Sequence, residues 1–166
     1  MIQAGTRFAP SILSQMAKRQ EAGADDIWPV PDLFNIADMC CDRWAVAQPD
    51  RVALIDVRDD APPKYWAYAE LLRAATKLAH YFKSHHIVQG DRIAVLLPQG
   101  PEVLIAHFAA YRIGAIILPL FTLFGPDALA YRLRDSGAKL TITDAGSLNK
   151  LLPILRDLPA LERILV

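Results

Sequence analysis

The chain has 166 residues, which is long enough for one compact domain with its own core and too short for two domains of ordinary size. Apolar residues make up 53% of the sequence and charged residues 22%, and this balance excludes an intrinsically disordered chain. Lys and Arg number 18, as do Asp and Glu, so the formal net charge is zero. We therefore expect no nucleic acid and no anionic membrane surface as partner.

Local composition argues against a membrane span and against a secretory signal. The longest stretch without a charged residue, Ile113 to Pro126, is shorter than the about 20 apolar residues that a bilayer span needs. The first thirty residues contain no apolar core of a signal peptide. Cys40 and Cys41 are adjacent, a spacing that strains a mutual disulfide and matches no metal site. We expect free thiols and a cytoplasmic protein.

The first half of the chain is predicted to contain a leader, a helix, a hairpin and a second helix. Residues 1–31 lack sustained periodicity apart from a short helical stretch at residues 11–20, so we interpret them as a partly irregular leader. Apolar residues then recur at helical spacing from Leu33 to about Gln48, with Asp32 as the N-cap. Strands at 52–57 and 64–68 predict a hairpin, and an amphipathic helix should follow from Ala69 to His85.

After Gly90, short apolar strands alternate with helices. The predicted strands are residues 92–97, 115–119, 139–143 and 163–166, and the predicted helices are residues 102–113, 127–136 and 145–155. Pro126 suits the first position of its helix, and Gly114 and Gly137 suit helix ends. This alternation is typical of an α/β fold: a mostly parallel sheet of βαβ units between two helical layers, preceded by the hairpin. The domain should span residues 32–166.

A search for catalytic side chains gives little. The eight glycines are too widely spaced for either a GxGxxG turn or a GxxxxGK[ST] loop. Ser136 lacks the flanking glycines of a nucleophile elbow. The sequence has four histidines, His80, His85, His86 and His107. We interpret them as packing or surface residues. The residues alone therefore predict no catalytic residue and no metal site.

Four stretches, in order and at suitable spacing, resemble motifs of the adenylate-forming enzyme superfamily. They are Trp66-Ala-Tyr-Ala-Glu-Leu, Gly90-Asp-Arg-Ile-Ala, Gly114-Ala-Ile-Ile-Leu-Pro and Asp135-Ser-Gly-Ala with its following Thr-Asp144. The superfamily has T-Y-x-E-L, G-D-R-V-A, R/K-x-G-A-x-x-x-P and D-S-x-A-x-x-x-x-T-D at these places. Glycine and proline have structural roles here, so the motifs indicate a fold and mark no catalytic centre.

Within that superfamily, residues 118–137 are most similar to AMP-forming acyl-CoA synthetases of the acetyl-CoA or medium-chain type. The resemblance implies a parent enzyme that joins a fatty acid or another carboxylic acid to CoA, with ATP, Mg²⁺ and an acyl-adenylate intermediate. The superfamily's phosphate loop, ribose-binding aspartate and catalytic lysine have no counterpart in these 166 residues. The chain is thus interpreted as an amino-terminal fragment that is inactive alone and binds none of these cofactors tightly.

The loop after the strand at 115–119 is the one segment of this sequence that we expect to contact a ligand. In synthetases of the acetyl-CoA type, this loop approaches the adenine of CoA, so the resemblance places Phe121, Thr122, Leu123 and Phe124 near a CoA nucleotide. Packing against the rest of the enzyme is the alternative role. The arginine that contacts a CoA phosphate in that subfamily would fall near Leu148, where this chain has leucine.

Two other functional hypotheses stay open. The chain could be a stand-alone, non-catalytic interaction or nucleotide-binding module, although the apolar run Arg163 to Val166 at its end favours a truncated chain. It could also come from a carrier-protein adenylation domain or from an aryl-CoA ligase. A truncated sheet would expose an edge and an apolar face, and a homo-oligomer through that face is expected.

Overall fold

The computed structural model describes residues 33–59 and 61–166, and the description below concerns the compact unit from Asn35 to Val166. The predicted leader and the predicted N-cap Asp32 lie outside the described residues. Asn35 instead caps the first helical turns, since its Oδ1 accepts a hydrogen bond of 2.9 Å from the Ala37 N–H. A π-helical turn, Asp38–Asp42, then leads into helix α1, Arg43–Ala47.

The predicted hairpin and the helix after it are confirmed. Strands β1, Val52–Arg58, and β2, Ala61–Ala67, pair antiparallel, with Ile55 opposite Tyr65. Helix α2, Tyr68–Ser84, starts directly after β2. The Glu70 carboxylate accepts a 2.8 Å hydrogen bond from the Ala67 N–H, which satisfies one of the free donors at the helix start.

The second half forms a four-stranded parallel sheet in the order β4-β3-β5-β6. Its strands are β3, Arg92–Leu96; β4, Ile116–Pro119; β5, Leu140–Thr143; and β6, Arg163–Leu165. The connecting helices are α3, Pro101–Arg112; α4, Pro126–Ser136; and α5, Ala145–Leu151. Beyond α5 the chain tightens into a 3₁₀ turn, Leu152–Asp157, where one continuous helix to residue 155 was predicted. Pro153 has no N–H to continue the α-helical hydrogen bonds.

Alternate residues of β3 enter two separate cores. Ile93 and Val95 pack on one face with α2 and α3, whereas Ala94 and Leu96 pack on the other face with α4 and α5. A parallel strand covered on both faces needs apolar residues on both faces for this reason, and residues 93–96 of β3 are all apolar and buried. The predicted three-layer arrangement, a sheet between two helical layers, is confirmed.

Two glycines make the turns that return helices to the sheet. Gly114 has φ +70° after α3, and a Cβ there would lie 2.9 Å from Cγ of Gln89. Gly137 has φ +60° after α4. Side chains disfavour this left-handed conformation, so both positions suit glycine. Among residues 33–59 and 61–166, no helix is long and apolar enough to cross a membrane.

Candidate functional site

The carboxyl ends of the parallel strands form the edge of the sheet where a ligand is expected. Helix α3, which follows β3, covers one face of the sheet, and α5, which follows β5, covers the opposite face. The connections after these adjacent strands thus diverge, which is the topological switch point at which open α/β sheets bind ligands. The loop after the neighbouring strand β4, residues 120–125, projects from the same edge.

This loop carries the four residues that the sequence singled out. Phe121 and Phe124 are brought together, with ring centroids 5.5 Å apart in an edge-to-face arrangement. The Phe124 N–H donates a 3.0 Å hydrogen bond to the Phe121 carbonyl and closes the turn. Phe121 is 68% exposed and Leu123 94% exposed, while Phe124 packs against the second core. Phe121 and Leu123 therefore form an exposed apolar tip, and Phe124 anchors the loop to the core.

Two cations lie beside the loop, and sequence reasoning assigned neither of them to it. The Arg132 guanidinium lies 4.2 Å from the centroid of the Phe124 ring. The Lys150 ammonium, from the last turn of α5, donates a hydrogen bond to the Thr122 carbonyl. Since Lys150 is 28 residues from Thr122 along the chain, no local pattern could have indicated this contact. An exposed ring beside cations suits a nucleotide, whose base can stack while its phosphates meet the positive charge.

The switch point itself offers no loop for a phosphate group. After β3 the backbone runs through Pro98, Gln99 and Gly100 into α3, whose first residue is Pro101 and has no N–H to donate. After β5, the Asp144 carboxylate accepts from the Ser147 N–H at 2.6 Å and caps α5. Its negative charge would repel a phosphate. The motifs at this edge are therefore structural in the described part of the chain.

The G-D-R motif holds the end of α4 against β3. Arg92 donates three hydrogen bonds to carbonyl oxygens: Nε to Ser136 at 2.8 Å, Nη2 to Gly137 at 3.0 Å, and Nη1 to Gly90 at 3.2 Å. The carbonyls of Ser136 and Gly137 lie at the end of α4, where no helical partner remains for them. The G-D-R and D-S-G motifs, far apart in sequence, thus form one structural unit. We call this set of hydrogen bonds the Arg92 clamp.

Asp91 is almost fully buried and is paired. Both of its carboxylate oxygens lie 2.9 Å from the Lys139 ammonium, and the Val88 N–H donates to Oδ2 at 2.9 Å. Burial by itself raises the pKa of Asp91. The Val88 hydrogen bond and the Lys139 ammonium outweigh burial, so the net pKa lies below its ordinary value of 3.8.

A pH-dependent contribution to stability follows from this lowered pKa. The contribution is complete above the ordinary pKa of 3.8 and is lost as the pH falls through the lower folded-state pKa. We expect Asp91→Asn to unfold more easily than the wild type at pH 7, and the two to converge at an acidic pH below the lowered pKa of Asp91. Urea denaturation at both pH values measures this difference. An unchanged difference at the lower pH would mean that the Asp91 charge contributes nothing.

The remaining side chains that sequence analysis considered do not form a second site in the described residues. His107 Nδ1 lies 2.7 Å from the Val103 carbonyl within its own helix, and His85 Nδ1 lies 2.9 Å from the Tyr81 carbonyl. Cys40 is exposed and Cys41 is buried, and both are free. Burial, with the nearby Asp42 charge, raises the pKa of Cys41 to about 11, so its thiol is unreactive. Residues 33–59 and 61–166 contain no cluster of side chains suited to a metal ion.

Comparison with known proteins identifies the family. The sequence model described as "AMP-binding enzyme" matches residues 41–166. The chain belongs to this family. Its relatives include the acetyl-coenzyme A synthetase of Cryptosporidium parvum, 36% identical over 82% of this chain and 20% of the relative. The acetyl-coenzyme A synthetase 2 of Candida glabrata is 38% identical over 72% of this chain and 18% of the relative.

A solved structure agrees with this family and with its fold. The Brucella canis acyl-CoA synthetase superposes with a TM-score of 0.70 and 34% sequence identity, over 79% of this chain and 23% of that protein. The resemblance to AMP-forming acyl-CoA synthetases is thereby confirmed. The chain spans about a fifth of the length of the relatives it matches, so most of such an enzyme has no counterpart in these residues.

Proposed function

We propose that residues 32–166 are the amino-terminal scaffold of an AMP-forming acyl-CoA synthetase, preceded by a leader at residues 1–31. The parent would convert a carboxylic acid, ATP and CoA into acyl-CoA, AMP and pyrophosphate, with Mg²⁺ on the nucleotide phosphates. Membership of the AMP-binding enzyme family and the acetyl-CoA synthetase relatives support this reaction. We also propose a cytoplasmic location, which the free cysteines favour.

The scaffold's contact with substrate is proposed to be the loop Phe121–Phe124, against the adenine of CoA. This proposal rests on the exposed Phe121 ring, which belongs to a loop that three contacts hold in place. The Phe121–Phe124 ring pair, Arg132 over Phe124 and Lys150 on the Thr122 carbonyl restrict the loop before any ligand arrives. A preorganised ring loses little entropy when a base stacks on it.

The chain by itself should be inactive, because the superfamily's phosphate loop and catalytic lysine, which would stabilise the charge of a reacting phosphate, have no counterpart in its sequence. We propose that it uses its uncovered apolar surface to self-associate at high concentration. Purified 166-residue protein is expected to give no ATP–pyrophosphate exchange with acetate or longer carboxylates. Measurable exchange by this chain would contradict the scaffold role and would favour a complete catalytic module.

The loop is tested in a hybrid in which residues 35–166 replace the matching segment of the Brucella canis acyl-CoA synthetase. Replacing Phe121 and Leu123 with alanine is expected to raise KM for CoA about tenfold, since stacking on one base contributes about 1–3 kcal/mol. ATP–pyrophosphate exchange should stay unchanged, because this step takes place before CoA reacts.

The control variant is Tyr131→Ala, because Tyr131 is 66% exposed and lies on α4 directly after the loop. It should leave both reactions of the hybrid unchanged. An unaltered KM for CoA in the Phe121/Leu123 variant would reject the loop as a CoA contact and would favour its packing role.

A further inference from the structure

The hairpin β1–β2 carries charged side chains on the face that points toward the start of α3. Asp56, Lys64 and Trp66 lie on this inner face, where they line a cavity of about 380 Å³. The Lys64 ammonium lies 4.2 Å from the Trp66 ring centroid, and the Arg58 guanidinium lies 2.9 Å from the Asp56 carboxylate. The charged groups of the inner face therefore have partners within the described residues.

The opposite face of the hairpin is apolar and exposed. Ile55 and Tyr65 stand directly across from each other on the two strands and are 51% and 59% exposed. Val57, two residues from Ile55 along β1, is 72% exposed. We call these three side chains the outer hairpin face. An exposed strand face normally carries polar residues, so burial of this uncharged face would be favourable.

The open edges of the parallel sheet are less suited to a partner than the outer hairpin face. Strand β4 has four residues and ends at Pro119, which has no N–H, and strand β6 has three residues. Short edge strands and edge prolines both limit pairing between the sheets of two copies. The outer hairpin face has no charged side chain that would oppose its burial in the same way.

We propose that two copies of this chain associate through the outer hairpin face, with Ile55, Val57 and Tyr65 of one copy packing on the same residues of the other. This inference rests on the self-association proposed above and names the surface responsible for it. Two copies related by a twofold axis bring the same patch together, so an apolar patch without charge is complementary to itself. The zero net charge of the chain adds no repulsion between the copies.

The size of the outer hairpin face determines how strong this dimer is. Strands β1 and β2 have seven residues each. At about 3.3 Å per residue, the face is about 23 Å long and two strands wide. It therefore provides far less than the about 800 Å² that each partner buries in a stable complex. We expect a weak and reversible dimer with a Kd above about 10 µM.

Sedimentation velocity of the 166-residue chain, between about 10 µM and about 1 mM, measures this association. Ile55→Lys should raise the Kd of the dimer at least about tenfold, because the contact would then bury unpaired ammonium groups. Tyr65→Lys, on the other strand, should have the same effect. The matched control is Val46→Lys, which adds the same charge at an 81% exposed apolar residue of α1 and should associate like the wild type.

Mixing two charged variants gives a second readout that does not depend on loss of association. Ile55→Lys and Ile55→Glu should each be monomeric alone, since a twofold contact brings like charges together. The mixture should form dimers, because opposite charges then meet across the contact. Circular dichroism of each variant checks that the chain is folded.

Four results would overturn the proposed dimer. A strict monomer at the highest concentration would reject both the hairpin contact and the self-association. Association that Ile55→Lys and Tyr65→Lys leave unchanged would reject the hairpin contact alone. Equal weakening by Val46→Lys would assign the effect to added charge, and species that grow beyond a dimer would indicate open-ended strand pairing. The scaffold role is tested separately by ATP–pyrophosphate exchange, and none of these results affects it.

Discussion

Replacing Phe82 with alanine is expected to lower the free energy of unfolding by about 3–5 kcal/mol, the largest effect of any substitution proposed for this chain. Phe82 is fully buried in the core between α2, α3 and the sheet. The facing side of α3 is built of small residues, namely Ala106, Ala109 and Ala110. These alanines let the two helices approach closely, and Phe82 fills the space between them and β3.

Removal of the Phe82 ring leaves a cavity that alanines cannot fill, because they have no side-chain freedom with which to repack. Urea denaturation followed by circular dichroism measures the change. Phe82→Leu should fall between the wild type and Phe82→Ala, and exposed Tyr131→Ala should stay within about 0.5 kcal/mol of the wild type. A loss below about 1 kcal/mol for Phe82→Ala would mean that α2 is not packed as described.

The second large effect is expected at the Arg92 clamp. Arg92→Ala removes three hydrogen bonds from a charged donor and leaves the carbonyls of Ser136 and Gly137 without their partner. Hydrogen bonds to charged groups contribute about 1.5–3 kcal/mol each and are not additive, so we expect a total loss of about 2–4 kcal/mol. Arg92→Lys should recover little of this loss, because an ammonium cannot reach several carbonyls in a fork.

The matched control for this variant is Arg134→Ala, on the exposed side of the last turn of α4. It removes the same charge from the same helix end without breaking the clamp, and it should change stability by less than about 0.5 kcal/mol. Equal losses for Arg92→Ala and Arg134→Ala would indicate that the charge near the end of α4 matters and that the three hydrogen bonds do not.

The Arg92 clamp is connected to the proposed CoA-contacting loop through helix α4, which the clamp holds. Helix α4 begins directly after the loop Phe121–Phe124, carries Arg132 over the Phe124 ring, and ends at the carbonyls that Arg92 binds. Since one rigid helix joins the clamp to the loop, loosening its far end should also disturb the exposed tip. The family motifs are thus connected to the proposed ligand contact by position, although none of their residues reaches it.

Much of the architecture could be predicted from the sequence because local signals repeat along it. Alternation of short apolar strands with helices predicted the parallel sheet, and Pro126, Gly114 and Gly137 marked helix ends that the structure confirms. The resemblance to AMP-forming acyl-CoA synthetases rests on the same kind of local signal. Glycine and proline at turns are readable without knowledge of the fold, since their backbone preferences are intrinsic.

The contacts that hold the loop and the scaffold together were decided only by the tertiary structure. Lys150 meets Thr122 from 28 residues away, Arg92 meets Ser136 from 44, and Lys139 meets Asp91 from 48. The last two pairs are brought together by β3 and β5, which are adjacent in the sheet, whereas Lys150 and Thr122 follow β5 and β4, which lie on either side of β3. All three pairs are distant in sequence, so no spacing rule connects them. The exposure of one apolar pair on the hairpin was likewise decided only by the tertiary structure. Strand pairing placed Ile55 beside Tyr65, and burial elsewhere left that pair without a cover in the described residues.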